Sequence, residues 1–376
     1  MRERTPFQRN SAEHHALRVL CAMLSAGCAG VSWRSSSAAQ LVDVFYATDR
    51  ERRRPGEEPC AIDPSLPQPL RFGNDRNAGR DEASLVSFGR FTVRLAFERL
   101  GEAPSAIERR CAPESDPVYL AGPVAEDEDQ FVHSVREAVA RSASRDLLVF
   151  VHGYNFQFDE AVLWAAQLKH DLGFEGVVVL YSWPSRGSRW SYASDLVNAE
   201  WTIPHLASFL ERLASQAGEG RVHVLAHSMG SKALVSALHA LAVERRGIPA
   251  PRFAQIILAA PDIDAGVFRQ LIPKVRAIAE RITLYTAADL ALRISGWLFA
   301  HPRAGDSHDD PVVVDGIDTV DVTAVDQSSA RHNYFLENER VLADIFQLLA
   351  YRAPPRRRFR LFSVQLRGFT VWQFRT

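Results

Sequence analysis

Cysteine, methionine and net charge are all scarce in this chain. Its 376 residues include four cysteines and three methionines, and 44 basic against 45 acidic side chains leave a formal net charge of −1. None of Cys21, Cys28, Cys60 and Cys111 falls in a C-x-x-C pattern, and no His pair stands beside them at zinc spacing. That excludes the usual structural zinc sets, and neither a metal nor an organic cofactor is expected. Near-neutral charge gives no field to gather nucleic acid, so no nucleic-acid partner is expected. Beyond the N-terminus no run of eighteen apolar residues occurs, which argues against a membrane-spanning helix in the body. Internal repeats are also missing. What remains, 47% hydrophobic and 24% charged, is the composition of a globular protein able to bury a large core.

The first 27 residues read as an export signal. Arg2, Arg4, Arg9 and Arg18 make a positive start, Val19–Leu24 a short apolar run, and Ser25-Ala26-Gly27 a small-residue cleavage zone. Cys28 follows directly, as in the lipobox of a bacterial lipoprotein, although Ser25 stands where that motif usually has Leu. The expectation is an envelope or periplasmic protein, with membrane association if Cys28 is lipidated; the alternative is a cytoplasmic protein whose N-terminus is no signal. Cys60 and Cys111 would then meet an oxidising compartment as a pair able to form a disulfide.

Residues 41–48 alternate apolar and polar and predict a strand, and 88–97 predict a second, paired with it as an antiparallel edge. Between and after them, 55–81 and 101–130 are rich in Pro and charge and read as loop. From 131 onward the pattern changes. Apolar runs at 147–151, 177–181, 222–226, 256–260, 282–286 and 320–325 alternate with helical stretches at 158–171, 193–216, 230–245 and 334–349. Strands that are apolar on both faces belong in a parallel sheet covered by helices on each side. The predicted layout is an α/β domain over 41–350, with N-terminal strands and loops at 41–130 and a catalytic core at 131–350. A basic, aromatic C-terminal segment at 351–376 reads as a solvated tail.

In such sheets, ligands bind beyond the carboxyl ends of the strands. One run ends in Ala226-His227-Ser228-Met229-Gly230 just before a helical stretch. That pattern fits a nucleophile elbow, where a sharp strand-to-helix turn lifts a serine hydroxyl above the sheet. Ala226 replaces the more usual first Gly, and a serine capping a helix would look similar. A serine nucleophile needs a base, an orienting acid and donors for the oxyanion. The amides of Met229 and of Tyr154, in His152-Gly153-Tyr154-Asn155, are the candidate donors, with the His152 ring expected to pack within its loop. Asp289 follows the run ending at Thr286 and is the candidate acid, with Asp262 the alternative. His332, just before the last helical stretch, is the candidate base, whereas His301 and His308 read as surface residues. Ser228, Asp289 and His332 thus occur in the chain order of this fold's triad, each after a strand. Trp183, Trp190 and Trp201 lie where they could wall a pocket or simply pack.

Six segments together carry a resemblance. They are Val44–Arg50, Phe150–Asn155, Tyr181–Ser185, Leu225–Gly230, Ala260–Asp264 and His332–Phe335. In these the chain resembles a bacterial family of alpha/beta hydrolases of unknown function, related to esterases and lipases, from about residue 41 to 350. The resemblance implies an α/β-hydrolase fold with a mostly parallel sheet and an ester-hydrolysing activity, and the triad residues add the expectation of an acyl-enzyme formed on a small-molecule or lipid ester. Two other readings stay open: a catalytically silent envelope-associated binding protein on this fold, and an acyltransferase or peptidase using the same triad.

Overall fold

A computed structural model of the chain describes residues 40–53, 72–79, 85–95, 118–188, 190–216, 220–244, 253–325, 335 and 338–375. The predicted signal, all four cysteines and His332 lie outside the described residues.

An 11-stranded sheet organises the described chain. In chain order its strands are β1 (Gln40–Thr48), β4 (Ser87–Leu95), β5 (Val118–Glu126), β6 (Asp146–Val151), β7 (Val177–Ser182), β8 (Arg221–His227), β9 (Phe253–Ala259), β10 (Ala279–Thr286), β11 (Asp318–Asp321), β12 (Leu361–Leu366) and β13 (Phe369–Phe374). The short strands β2 (Arg50–Arg52) and β3 (Phe72–Arg76) pair separately. In space the large sheet runs β12-β13-β11-β10-β9-β8-β6-β7-β1-β4-β5. All pairings from β13 to β1 are parallel, and antiparallel strands close both edges. Winding reverses at β6, whose neighbours β7 and β8 follow it in sequence on opposite sides. Ligand crevices of open α/β sheets form at such a reversal.

Two apolar layers enclose the sheet. Side chains of β6 alternate between them, Leu147, Val149 and Val151 into one and Leu148 and Phe150 into the other. Helices α1 (Glu128–Arg141), α4 (Ile203–Gln216), α5 (Met229–Glu244) and α6 (Ala265–Val275) cover the first layer through residues such as Phe131, Leu210, Leu234 and Phe268. On the other face, α2 (Phe158–Asp171) and α8 (Glu339–Tyr351) insert Val162, Leu168, Ile345 and Leu348. The remaining helices are α3 (Tyr192–Trp201) and α7 (Leu290–Leu298). Among the described residues no helix is long and apolar enough to cross a membrane.

Several boundaries differ from the sequence expectation. The acidic, Pro-rich stretch before 130 contains β5, a strand paired antiparallel to β4, and Asp127 then caps α1 by accepting from the Gln130 amide. One expected helix over 193–216 is two, α3 and α4, divided at Thr202. The last helix starts at Glu339 because the Asn338 side chain accepts from the amides of Arg340 and Val341. Segment 351–376, expected as a solvated tail, is instead a β12–β13 hairpin whose second strand pairs parallel with β11 and extends the sheet.

Asp171, the last residue of α2, carries a destabilising charge. Burial pushes its carboxyl from 3.8 up to about 6, opposed only by the amide of Gln167 at 2.7 Å. The negative end of the helix macrodipole acts in the same direction as burial. At pH 7 the folded state therefore holds an anion that the unfolded chain solvates better. Asp171→Asn should stabilise the protein by about 1–3 kcal/mol at pH 7. Because the penalty fades as pH falls through the folded value and is absent once both states are protonated, the gain should vanish near pH 4. Thermal melts of both proteins across that range check the sign: an equal difference at pH 7 and pH 4 would contradict it.

Candidate active site

Ser228 sits between β8 and α5 with φ 51°, in the left-handed region. A non-glycine residue there is strained by roughly 1–2 kcal/mol and persists only where its surroundings hold it. Its amide donates to the Ala259 carbonyl at 2.9 Å, and its carbonyl accepts from Ser231 at 3.0 Å and Asp262 at 3.1 Å. The turn is thus pinned to the end of β9 on one side and the first turn of α5 on the other.

Two glycines let the neighbouring loop reach it. A Cβ on Gly230 would stand 2.2 Å from the His152 carbonyl oxygen, and one on Gly153 would stand 2.7 Å from the His227 ring and 3.1 Å from Ser228 Cβ. The loop after β6 therefore lies directly against the turn after β8, at the reversal point of the sheet. Met229 opens α5, so its amide is among those at a helix N-terminus that lack an intrahelical acceptor. Tyr154 follows Gly153, its ring 5.3 Å from Tyr192 and its hydroxyl donating to the Ser188 carbonyl at 3.2 Å.

Arg50 holds this loop, a role that periodicity gives no hint of. Its side chain is fully buried, and its donors reach six acceptors: Ser182 Oγ, the carbonyls of Gly73, Phe156 and Ser185, Asn74 Oδ1 and His152 Nε2. Burial lowers its pKa to about 10, with the charges of Asp49 and Asp195 acting in the opposite direction, so it remains a cation at neutral pH. The His152 ring stacks between Phe156 and Trp183 and spans Ser182 Oγ at 3.0 Å and the Gly153 carbonyl at 2.8 Å. Burial, reinforced by Arg50, holds its pKa well below the ordinary value. The ring is accordingly neutral, with Nδ1 donating to Gly153 and Nε2 accepting, and it packs the loop.

Asp49, next to Arg50, is buried as well and accepts from Tyr181 at 3.2 Å, from Thr202 and from His205 at 3.0 Å. It secures α4 beneath the same strand ends. Trp183 is wholly buried, its indole N–H donating to the His152 carbonyl at 2.8 Å, so it is a packing residue. Trp190 is 87% exposed.

The two candidate acids have different surroundings. Asp262, in the loop after β9, is buried and fully engaged. Tyr192 donates to Oδ2 at 2.6 Å, Ser295 donates to Oδ1 at 2.9 Å, and Arg303 Nε lies 3.2 Å away. Burial, strengthened by the Asp262 charge, pushes the Tyr192 phenol far up, so it stays a donor. Arg303 carries no signal in the sequence, because its partner Asp262 belongs to a separate segment that only folding brings alongside. Asp289 caps α7, with Oδ1 accepting from the amides of Ala291 at 2.8 Å and Leu292 at 3.3 Å. It stands just past β10, as expected.

Phe335 is fully buried, with its ring 4.6 Å from that of His227 and 6.5 Å from that of Phe150. Among the described residues no group of His, Cys, Asp and Glu side chains could hold a metal ion.

The model of a family described as alpha/beta hydrolase of unknown function (DUF900) matches residues 127–352. No curated protein matches the chain. Among solved structures, a predicted CIB-like hydrolase from Thermoplasma acidophilum is similar at 15% identity and a TM-score of 0.33, covering 56% of this chain and 88% of that one. A hyperthermophilic esterase from Pyrobaculum calidifontis is similar at 13% identity and a TM-score of 0.26, covering 76% of this chain and 71% of that one.

The arrangement generates one stability prediction. Lysine has a single ammonium and cannot reproduce a planar fork serving six acceptors. Arg50→Lys should therefore destabilise the protein by about 3 kcal/mol or more, since several buried acceptors lose their donor. Urea unfolding measures this, and a loss below about 1 kcal/mol would mean that water replaces the guanidinium without cost.

Proposed function

Because the chain belongs to the family of alpha/beta hydrolases of unknown function, we propose that it is a serine hydrolase cleaving carboxylic esters through an acyl-enzyme. The observation that carries this reading is the left-handed Ser228 on its strand-to-helix turn. A strand-to-helix turn of this kind is the local geometry that holds a nucleophilic hydroxyl above the sheet.

In the proposed reaction His332 removes the Ser228 proton as Oγ attacks the ester carbonyl. The resulting oxyanion is held by the amides of Met229 and Tyr154, with the positive end of α5 adding to the field. The tetrahedral intermediate collapses, the C–O bond to the alcohol breaks, and His332 returns the proton to the departing oxygen. Water then repeats the sequence on the acyl-enzyme and releases the acid. Asp289 is the proposed partner that orients His332 and stabilises its protonated form. The contacts of Asp262 favour this division, because a carboxylate already neutralised by Arg303 offers an imidazolium little. Outward-facing Leu290, Ile294, Trp297 and Leu298 on α7, the helix that Asp289 caps, support an apolar acyl group.

Ser228→Ala should abolish labelling by a fluorophosphonate probe and lower turnover of a p-nitrophenyl ester by roughly 10³-fold or more. A folded variant that still turns over at the wild-type rate would remove Ser228 from the mechanism.

The acids separate by two readouts. Asp289→Asn should lower kcat by about 10²-fold or more with a nearly unchanged melting temperature. Asp262→Asn should act mainly on stability, costing about 3 kcal/mol, because it leaves the buried Arg303 without its counter-charge. The opposite pattern, with kcat collapsing for Asp262→Asn alone, would make Asp262 the triad acid.

A further inference from the structure

On the α2/α8 side of the sheet, the chain leaving α8 turns at Ala353 and runs back along that helix. Arg340, Asp344 and Gln347 lie on one helical stripe facing it. Gln347 Oε1 accepts from the Phe359 amide at 2.7 Å, and Asp344 accepts from Arg358 at 2.8 Å and from the Tyr285 hydroxyl at 2.6 Å. At the Arg340 end of that stripe a cavity of about 690 Å³ opens. Six arginines line it, Arg340, Arg356, Arg357, Arg358, Arg360 and Arg375, with Phe359 and Leu361 and, among the described residues, no carboxylate.

Two physical features of this cavity call for a ligand. Guanidinium groups brought together from a turn and the end of β13, Arg356, Arg357, Arg360 and Arg375, repel one another, and an anion between them relieves that repulsion. The second feature is Arg358, whose side chain is wholly buried. Its Nη1 serves Asp344, but Nε and Nη2 have no hydrogen-bond partner among the described residues. Buried donors are nearly always satisfied, and these two sit side by side on the edge of the guanidinium that forks onto an oxyanion. Phosphoryl oxygens match that fork bidentately, and the volume lies in the range of small-molecule sites and exceeds what one tetrahedral ion fills.

We propose that this arginine-lined cavity binds an anion carrying two or more phosphoryl groups, with Arg358 as its inner contact. The Tyr285–Asp344–Arg358 chain connects the site to β10, the strand that leads to Asp289. Its ligand is either a soluble polyphosphorylated molecule or the headgroup of an anionic phospholipid, and both present the same chemistry.

Calorimetry of the full chain with inorganic tripolyphosphate and with orthophosphate, at low ionic strength, tests the soluble source. Sedimentation with phosphatidylcholine vesicles, with and without a phosphatidylinositol bisphosphate, tests the lipid source. Tripolyphosphate should bind at least about tenfold more tightly than orthophosphate, and the affinity should fall as salt is added. If the natural source is a membrane, the protein should also sediment only with the phosphoinositide vesicles. The double variant R360Q/R375Q, altered at two exposed positions, should keep its melting temperature and weaken binding by about tenfold or more. Failure to bind in both arms would overturn the proposal, as would equal affinity for the two phosphates. So would binding that R360Q/R375Q leaves unchanged.

Discussion

The guanidinium of Arg50, at the start of β2, joins segments that are otherwise separate: strand β3 and the loops after β6 and β7. Its acceptors among the described residues are neutral oxygens and one imidazole nitrogen, so the charge is solvated by the fold as water would solvate it. Such a site resists change. Each buried carbonyl that Arg50 serves would be orphaned without it, and orphaned buried acceptors are individually costly. What this clamp fixes is the position of residues 152–156, and that position decides how closely the loop approaches the turn at Ser228.

From that approach the rest of the site follows. Gly153 and Gly230 are tolerated in a rigid, packed region because any side chain would collide with the opposite segment. Their contact brings the loop after β6 against the turn at Ser228, at the reversal point of the sheet. Beneath it, buried polar clusters each tie a different element to the strand ends: Asp49 with Tyr181, Thr202 and His205, and Asp262 with Tyr192, Ser295 and Arg303. Every cluster pairs a buried charge with several donors or acceptors, the condition under which buried charges are tolerable. The two candidate acids, each in the loop after a strand, thereby acquire different physical characters, one paired with Arg303 and one capping a helix.

The far edge of the sheet has a different logic. An exposed β11 would present unpaired backbone groups, and the β12–β13 hairpin covers it. To reach that edge the chain must return along α8, and this return draws its arginines together. Tyr285 and Asp344 link the two regions through the core, so the arginine cluster rests on the same strand that leads to Asp289.

Much of this was legible in the residues themselves. The runs at 147–151, 177–181, 222–226, 256–260 and 282–286 are strands, close to where periodicity puts them, because burial on both faces leaves an unmistakable apolar signature. The segment Ala226–Gly230 identified its own turn, since a strand-to-helix corner with small flanking residues is a local property. Local patterns failed where long-range contacts decided. Pro123 and the acidic residues around β5 read as loop until β4 supplied a pairing partner. The arginine-rich end read as a solvated tail, yet β13 satisfies the open side of β11. The roles of Arg50 and Arg303 could not be read in advance, because they depend on acceptors scattered along the chain and gathered only by folding. Sequence determined the strands, their polarity and the chemistry available at their ends. Tertiary structure alone decided which charges are buried and what neutralises each, because the partners of Arg50, Asp49 and Asp262 come from separate segments.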